Sequence, residues 1–275
     1  MKKLIFALLT VFSMSSFAQS YIVMDNGLII TTDSSGFAYD IGDYAFPLKI
    51  TMKGGQFFVE ENKVLATIDE NGVLFRKYEV MPETVLGQGM NYFISSEGDI
   101  FTIDTKGMVH LSKNEAFKNA MNFGGNYFTV KTEKTLDLYV VTQTGEVVPA
   151  SLEGLDMKSV IAFGGNYFMT NRGVLHTVSS EGAVISHADK RIGILQKRGG
   201  NYFTDSTGMI YTVAQDGRLI LPGLPLSLKI NSINKLGSNY FLDLSGGLFT
   251  VDRDGNIWER VVEDHDMRNA RIISL

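Results

Sequence analysis

Short apolar runs separated by glycine turns follow one another along the whole chain. In one unit, three such runs are separated by Gly208 and by the hairpin signal Asp216-Gly217. A fourth apolar run, such as Ser159 to Phe163, precedes each group of three. Because runs such as Ile210 to Val213 are apolar on both faces, we expect them to be covered on both faces. The pattern predicts units of four short antiparallel strands.

The motif Gly-Gly-Asn-Tyr-Phe marks each unit. It is present without change at Gly124 to Phe128, Gly164 to Phe168 and Gly199 to Phe203, and a degenerate copy begins at Ser20. Aligned on the third position, the six clear copies are 35, 35, 40, 35 and 38 residues apart. Four strands in such a period are typical of β-propellers. The sequence therefore predicts an all-β, seven-bladed β-propeller. The substituted copies occupy 54–58, 89–93 and 237–241.

The Gly-Gly pair also predicts the order of strands within a blade. Two residues can reverse the chain between adjacent antiparallel strands but cannot cross between blades. The run before the pair is therefore predicted to be the innermost, first strand. The chain after residue 18 starts at a second strand near Tyr21 and ends in the apolar run Ala270 to Leu275. We expect the C-terminal strand to pair with the N-terminal blade and close the ring, which removes open sheet edges.

The motif residues are expected to serve the fold, because evenly spaced copies around a ring cannot all serve one asymmetric site. The phenylalanine is predicted to pack between blades, the glycines to allow close backbone approach, and the asparagine to tie a turn. The alternative is a multivalent lectin-like ring in which each Asn-Tyr pair contacts a sugar. The residues concerned are Gly55, Asn91, Tyr92, Phe93, Asn126, Tyr127, Phe128, Asn166, Tyr167, Phe168, Asn201, Tyr202, Phe203, Asn239, Tyr240 and Phe241.

One family resemblance accompanies this pattern. The segment Val160 to Phe168, followed by Gly173 to Val178, resembles the repeat of β-propellers of the regulator-of-chromosome-condensation type, and the resemblance touches all seven units. The histidine that follows the glycine turn in that family is replaced here by asparagine, and its closing aromatic-Gly and Gly-Gln-Leu-Gly elements are missing. The resemblance implies the fold, but neither nucleotide exchange nor chromatin binding.

The N-terminus has the features of an export signal. Lys2 and Lys3 precede the apolar stretch Leu4 to Met14, and Ser16-Phe17-Ala18 is a small-x-small cleavage site. Residues 1–18 are therefore predicted to be a signal peptide and residues 19–275 the propeller, which indicates a periplasmic or secreted protein. The apolar stretch is too short for stable insertion into a membrane.

Composition narrows the range of partners. The net charge of -5 and the isoelectric point near 5.4 argue against nucleic acid, whose binding proteins carry basic patches. The chain has no cysteine and 44% apolar residues, so core burial must provide its stability. We expect a monomer without a cofactor, whose partner is a protein or an envelope component. A glycan is the alternative ligand.

Candidate chemistry is sparse. His110, His176, His187 and His265 show no metal-binding spacing, and neither a nucleophile elbow nor a phosphate loop occurs. The segment 252–256 resembles the start of a calcium loop, with Asp252, Asp254 and Asn256 as possible ligands. The alternative is a hairpin turn, because Asp216-Gly217 and Asn71-Gly72 occupy the same place in their units.

Function is expected where the seven units differ. The variable segments are the crossing Ala150 to Lys158, the segment Leu221 to Leu226, the charged run Glu259 to Arg268 and the insertion Lys131 to Asp137. Trp258, the only tryptophan, occupies the place of Tyr39, Phe75 or His110 in other units. The binding candidates are Trp258, Glu259, Arg260 and His265.

These observations favour an exported, non-catalytic propeller that binds a protein or another envelope component. The runner-up is a glycan-binding lectin-like propeller. A hydrolase or lyase with a site in the central channel is the third hypothesis.

Overall fold

The computed structural model describes residues 20–24, 28–41, 49–78, 81–151, 153–262 and 267–271. These residues form 28 strands in seven four-stranded antiparallel sheets, which confirms the seven-bladed propeller. The predicted signal peptide and His265 lie outside the described residues. Within the described ranges, no helix is long and apolar enough to cross a membrane.

The blades are numbered in chain order. Blades 2 to 7 each contain four consecutive strands, and blade 1 combines the first three strands of the chain with the last. Blade 1 contains β1 (Ser20–Met24), β2 (Ile29–Thr32), β3 (Ala38–Asp40) and the final strand β28 (Ala270–Arg271). Blade 2 contains β4 (Ile50–Lys53), β5 (Phe57–Glu60), β6 (Val64–Ile68) and β7 (Leu74–Tyr78). Blade 3 contains β8 (Val85–Gln88), β9 (Tyr92–Ser95), β10 (Asp99–Ile103) and β11 (Val109–Lys113). Blade 4 contains β12 (Ala120–Met121), β13 (Tyr127–Lys131), β14 (Leu136–Val141) and β15 (Val147–Ala150).

The remaining three blades follow the same order. Blade 5 contains β16 (Val160–Phe163), β17 (Tyr167–Thr170), β18 (Leu175–Val178) and β19 (Val184–Ser186). Blade 6 contains β20 (Leu195–Arg198), β21 (Tyr202–Asp205), β22 (Ile210–Val213) and β23 (Leu219–Ile220). Blade 7 contains β24 (Ile233–Leu236), β25 (Tyr240–Asp243), β26 (Leu248–Val251) and β27 (Ile257–Arg260). Short 3-10 helices lie before β12, β16, β24 and β28, at Glu115–Asn119, Met157–Ser159, Ile230–Ser232 and Met267–Asn269.

The C-terminal strand closes the ring as predicted. Strand β28 pairs with β1 in antiparallel register, so that Val23 lies opposite Arg271 and Met24 opposite Ala270. The first strand of blade 1 therefore comes from the end of the chain, while its other three strands come from the beginning. Residues 272–275, the remainder of the predicted closing run, lie outside the described residues.

The turns between third and fourth strands form a closed ring. In each turn, a backbone N–H donates to the carbonyl oxygen of the equivalent residue in the next blade, at 2.8–3.1 Å between nitrogen and oxygen. Seven turns can be linked directly in this way only if they lie close to the central axis. The ring runs through Ser34, Glu70, Thr105, Gln143, Ser180, Gln215 and Arg253, and returns to Ser34.

The turns between first and second strands also meet at the axis. The Met90 N–H donates to the carbonyl of Gly125, and a Cβ added to Gly165 would overlap the carbonyl of Gly200. The buried Met90 side chain extends from blade 3 across the axis, since its sulfur would lie 2.9 Å from a Cβ on Gly200 in blade 6. Gly55 is equally confined, because its Cβ would lie 2.7 Å from Ser238 Oγ.

These two rings correct the prediction of an innermost first strand. The tips of both hairpins surround the axis, whereas the first strand reaches it only at its Gly-Gly end. The second strands β9 and β17 and the third strand β18 are completely buried, whereas a fourth strand such as β11 is mostly exposed. The fourth strands therefore form one outer surface of the ring.

The aromatic motif residues pack between blades, as predicted. The ring of Tyr167 lies 4.8 Å from that of Phe203 in the next blade, and the Tyr167 hydroxyl donates to the Tyr202 carbonyl at 2.9 Å. The asparagines join blades as well, since Asn126 Nδ2 donates to the Ser179 carbonyl at 3.1 Å. Asn91 likewise donates to a residue of the next blade. For Asn126 and Asn91, the prediction of a local turn is therefore wrong, because both form hydrogen bonds between blades.

Candidate functional site

Each turn between third and fourth strands places one side chain at an equivalent position. The turn contains a glycine with φ between 71° and 95°, a left-handed conformation that other residues adopt at a cost. Three residues later, the fourth strand presents a side chain opposite a residue of the third strand, for example Tyr39 opposite Thr31. These side chains lie on the fourth-strand surface, formed by β3, β7, β11, β15, β19, β23 and β27. The seven residues are Tyr39, Phe75, His110, Val148, Ile185, Ile220 and Trp258.

The chemical character of this position changes around the ring. Four consecutive blades, 7, 1, 2 and 3, carry the rings of Trp258, Tyr39, Phe75 and His110, which we call the aromatic arc. Trp258 is 46% exposed, Tyr39 43% and Phe75 39%. Blades 4, 5 and 6 carry branched aliphatic side chains instead, and all three are half-buried. The exposed rings therefore occupy one side of an otherwise repetitive surface.

Side chains of the arc lie against the turn of the following blade. A Cβ on Gly72 would be 3.1 Å from Tyr39 Cδ2, and one on Gly107 would be 3.2 Å from Phe75 Cδ2. Beneath them, the Thr31 hydroxyl donates to the Gly72 carbonyl at 2.6 Å. The arc is thus supported by contacts between blades as well as within them.

An aspartate in the turn holds the polar edge of three arc side chains. Asp33 Oδ2 accepts the Tyr39 hydroxyl at 2.8 Å, and Asp252 Oδ2 accepts Trp258 Nε1–H at 2.8 Å. Asp104 Oδ2 lies 2.9 Å from His110 Nε2. Burial and the hydrogen bond to Asp33 raise the pKa of Tyr39, so its hydroxyl stays protonated and continues to donate.

The same turn accounts for the residues proposed as calcium ligands. Asp252 Oδ1 accepts the backbone N–H groups of Asp254 and Asn256 at 2.9 and 2.8 Å, and Asn256 Nδ2 donates to Asp252 Oδ2 at 3.0 Å. Asp33, Asp69 and Asp104 accept backbone N–H groups at the same spacing in their blades. These bonds are typical of an aspartate-capped turn. No group of three or more His, Asp or Glu suited to a metal occurs among the described residues, and the calcium assignment stays a prediction.

A second aromatic cluster lies where blade 7 meets blade 1. The Arg260 guanidinium is 4.4 Å from the centroid of the Phe37 ring and 5.4 Å from that of Trp258. Arg260 Nε donates to the Gly36 carbonyl at 2.8 Å, and Arg260 Nη2 donates to the Ser35 carbonyl at 3.2 Å. The structure thus brings together two of the predicted binding residues, Trp258 and Arg260, and adds Phe37, which the sequence analysis did not single out.

Glu259 lies apart from this cluster. Its Oε2 accepts the Ser227 hydroxyl at 2.6 Å, in the crossing between blades 6 and 7. Position along the strand explains the separation, because successive side chains of a strand point to opposite faces. His265, the fourth binding candidate, lies outside the described residues.

Two of the predicted variable segments line one groove. Residues 134–137 of the insertion and residues 150, 151 and 155–158 of the crossing border a groove of about 560 Å³ beside blade 4. Leu136, Leu155 and Met157 contribute apolar walls, and Lys158 Nζ donates to the Lys134 carbonyl at 3.0 Å. Asp137 accepts the Thr135 hydroxyl and Asp156 accepts the Lys158 backbone N–H, so these two carboxylates of the groove have partners within the chain.

The buried motif residues and Met90 bear on the two alternative functions, the lectin-like propeller and the enzyme with a site in the central channel. The motif tyrosines such as Tyr92 and Tyr202 are at most 1% exposed, and asparagines such as Asn91 and Asn166 are also buried. They are therefore unavailable to a sugar in solution. At the axis, Met90 occupies the space between the Gly-Gly turns, where the channel-site hypothesis would place its substrate.

Comparisons with known proteins give distant likenesses in fold. No protein-family model matches the chain, and no curated protein sequence matches it. A streptogramin B lyase structure is 13% identical, with a TM-score of 0.35 over 89% of this chain and 93% of that one. A virginiamycin B lyase from Staphylococcus aureus is 14% identical, with a TM-score of 0.36 over 90% of this chain and 98% of that one.

A third solved structure is the extracellular domain of a one-component system from B. thetaiotaomicron. It is 12% identical, with a TM-score of 0.25, and the match covers 94% of this chain and 46% of that one. Since no family model matches, nothing beyond the seven-bladed shape supports the resemblance to the regulator-of-chromosome-condensation type.

Proposed function

We propose that this chain is an exported, non-catalytic binding module that docks a protein partner on the aromatic arc. The observation that carries the proposal is the placement of four partly exposed rings on consecutive blades, while the equivalent positions of the other three blades are aliphatic. A repeat needed only for folding has no reason to differ in this way between its two sides.

The residue types of the arc favour a protein as the ligand. Aromatic residues, methionine and arginine are enriched at protein interfaces, and Trp, Tyr and Arg dominate their binding energy. The fourth strands of blades 7 and 1 present Trp258, Arg260 and Tyr39, and Met108, in the turn before β11 of blade 3, is 52% exposed. These residues provide both apolar area and a cation in one region.

Rigidity of the arc supports the same conclusion. The hydrogen bonds of Asp33 to Tyr39 and of Asp252 to Trp258 fix both side chains before a partner arrives. Fixing a free side chain on binding costs about 0.5–1.5 kcal/mol, and a surface that is already ordered avoids this cost. The features of residues 1–18 support export, and a periplasmic or secreted location is part of the proposal.

Retention of proteins from an envelope extract tests the proposal. Immobilised residues 19–275 carrying Tyr39→Ile and Phe75→Ile are compared with the unchanged chain and with a control carrying Ile185→Val and Ile220→Val. We expect the unchanged chain to retain a specific protein. With both proteins purified, the affinity of this pair should fall more than about tenfold in the arc variant and not in the control. Equal retention by arc variant and control, or retention of peptidoglycan or polysaccharide in place of protein, would overturn it.

A further inference from the structure

The aromatic arc coincides with a row of aspartates. In blades 7, 1, 2 and 3, the residue three positions before the turn glycine is Asp252, Asp33, Asp69 or Asp104. In blades 4, 5 and 6, the same place is taken by Thr142, Ser179 and Ala214, which carry no charge. Every blade with an exposed ring therefore has an aspartate at this position, and every blade with an aliphatic side chain has an uncharged residue there.

We propose that the aromatic arc recognises a basic segment of its protein partner, with Arg or Lys side chains placed over Tyr39 and Phe75. This inference rests on the proposed function. A cation over the face of an aromatic ring is attracted by the negative potential of the ring. Asp33 and Asp69 add negative charge at the base of this region. Cations are therefore the complementary side chains for the rings of blades 1 and 2.

Hydrogen bonds to the aspartates strengthen this attraction. When the Tyr39 hydroxyl donates to the Asp33 carboxylate, electron density shifts from the O–H bond towards the ring, which makes the ring face more attractive to a cation. Trp258 donates to Asp252 in the same way. The aliphatic side chains of blades 4 to 6 have no π-system, and the turn position equivalent to Asp33 carries no carboxylate in these blades.

The protein already contains one example of this interaction. The guanidinium of Arg260 lies over Phe37 and beside Trp258, close to Asp33 and Asp252. This internal cation lies at the junction of blades 7 and 1, where it faces Tyr39 as well as Asp33 and Asp252, and it repels a second cation there. We therefore place the partner's cations on the part of the arc that leads away from Arg260, from Tyr39 towards Phe75.

The two cations of β7 that follow Phe75 have partners of their own. Arg76 pairs with Glu60 at 2.5 Å, and Lys77 Nζ donates to the Gly107 carbonyl at 2.8 Å. Tyr39 and Phe75 are the arc rings of these two blades. The negative charge of the aspartates and the exposed rings therefore lie together on the part of the arc formed by Tyr39 and Phe75.

A pair of synthetic peptides tests the inference. The probe is an acetylated and amidated hexapeptide of alternating leucine and arginine, and its control has citrulline, which is isosteric with arginine but uncharged. Binding to residues 19–275 is measured by calorimetry at physiological ionic strength. We expect the arginine peptide to bind about tenfold more tightly than the citrulline peptide. Equal affinities would overturn the inference.

Matched variants separate local recognition from the general attraction of an acidic protein for a basic peptide. Asp33→Asn and Glu181→Gln each remove one negative charge, the first beneath Tyr39 and the second in the equivalent turn of blade 5. We expect the preference for arginine over citrulline to shrink several-fold in Asp33→Asn and in Tyr39→Ile, and to stay unchanged in Glu181→Gln. Equal reductions in Asp33→Asn and Glu181→Gln would contradict the inference.

The two proposals can fail separately. If the arc variant loses its protein partner but the two peptides bind equally, the basic specificity is wrong and protein docking stands. If the arginine peptide binds selectively but the arc variant retains the same envelope proteins as its control, docking of a protein on the arc is wrong.

Discussion

The two sides of the fourth-strand surface share a scaffold and differ in what they expose. Blades 1 and 6 use the same turn, in which Thr31 and Thr212 donate to the glycine carbonyl of the next blade, each at 2.6 Å. Yet the residue opposite that threonine is Tyr39 in blade 1 and Ile220 in blade 6. The comparison teaches that the repeat determines where a side chain lies, while the individual blade determines its chemistry.

The largest effect is expected in the core that both sides share. Phe58, beneath the aromatic side, lies 4.9 Å from Tyr21, and Phe203, beneath the aliphatic side, lies 4.8 Å from Tyr167, measured between ring centroids. Both are completely buried. Phe58→Ala and Phe203→Ala should each lower the free energy of unfolding by about 3–5 kcal/mol, measured by chemical denaturation. A loss confined to one of them would show that the two sides do not share an equivalent core.

A smaller loss should follow removal of the threonine bonds. Thr31→Val and Thr212→Val each leave a buried glycine carbonyl without its side-chain donor, at a cost of about 1–3 kcal/mol. Blade 4 is a natural control, because Val140 occupies this position and packs beside Gly182. Val140→Thr should therefore cost little or stabilise the protein. Losses in all three variants, measured by the same denaturation, would mean that shape rather than hydrogen bonding matters here.

Acid should affect stability through two histidines of blade 5. His176 is buried and stacked 5.2 Å from Phe168, and His187 Nε2 lies 2.9 Å from Thr177 Oγ1. Burial lowers the pKa of both side chains. Below pH about 6.5 the unfolded chain binds protons that the folded chain does not. Stability should therefore be full at neutral pH and fall as the pH is lowered.

Glutamine variants check this assignment. His176→Gln and His187→Gln should each flatten the dependence of the unfolding midpoint on pH between pH 7 and 5. His110→Gln, on the exposed aromatic arc, is the matched control. A pH dependence that persists in both blade 5 variants would assign it to other groups.

The smallest effect on stability is expected at the arc itself. Tyr39→Phe removes one hydrogen bond to Asp33 at a partly exposed site, and should cost about 0.5–1.5 kcal/mol in the free energy of unfolding. Ile220→Val, on the aliphatic side, should cost a similar or smaller amount. A loss above about 3 kcal/mol in Tyr39→Phe would mark Tyr39 as part of the core rather than of a binding surface.

Much of the fold could be predicted from spacing alone. The regular recurrence of Gly-Gly-Asn-Tyr-Phe, with copies such as Gly164 to Phe168, predicts seven blades of four strands, and the terminal run near Ala270 predicts ring closure. The order of strands within a blade followed from the length of the Gly-Gly turn, but the predicted innermost position of the first strand was wrong. These features depend on local periodicity, which a single sequence contains.

Contacts between blades were harder to anticipate. Six repeated threonines, Thr31 and Thr250 included, donate to a glycine about 40 residues away along the chain or at its other end. The preference of threonine for strands does not indicate such bonds. Nor does periodicity show that both hairpin tips reach the axis, with Met90 between the Gly-Gly turns. Such contacts depend on how the blades are arranged around the ring.

The site was predicted only in part. Trp258 was linked to Tyr39, Phe75 and His110 by position, which is the correct signal for the arc. The rings are exposed because of how the third and fourth strands pair. The aspartate lies beneath the ring because it caps the turn, as Asp33 and Tyr39 show. Alignment of the seven turn glycines on one another would have revealed the row of aspartates.

Site-directed photo-cross-linking tests the central claim most directly. Benzoylphenylalanine replaces Phe75 or Tyr39 on the aromatic arc, and Ile185 or Ile220 at the equivalent positions of the aliphatic side, before irradiation in envelope extract. The account predicts one discrete protein adduct from positions 39 and 75, and none from positions 185 and 220. The same adduct from all four positions, or no protein adduct at 39 and 75, would contradict it.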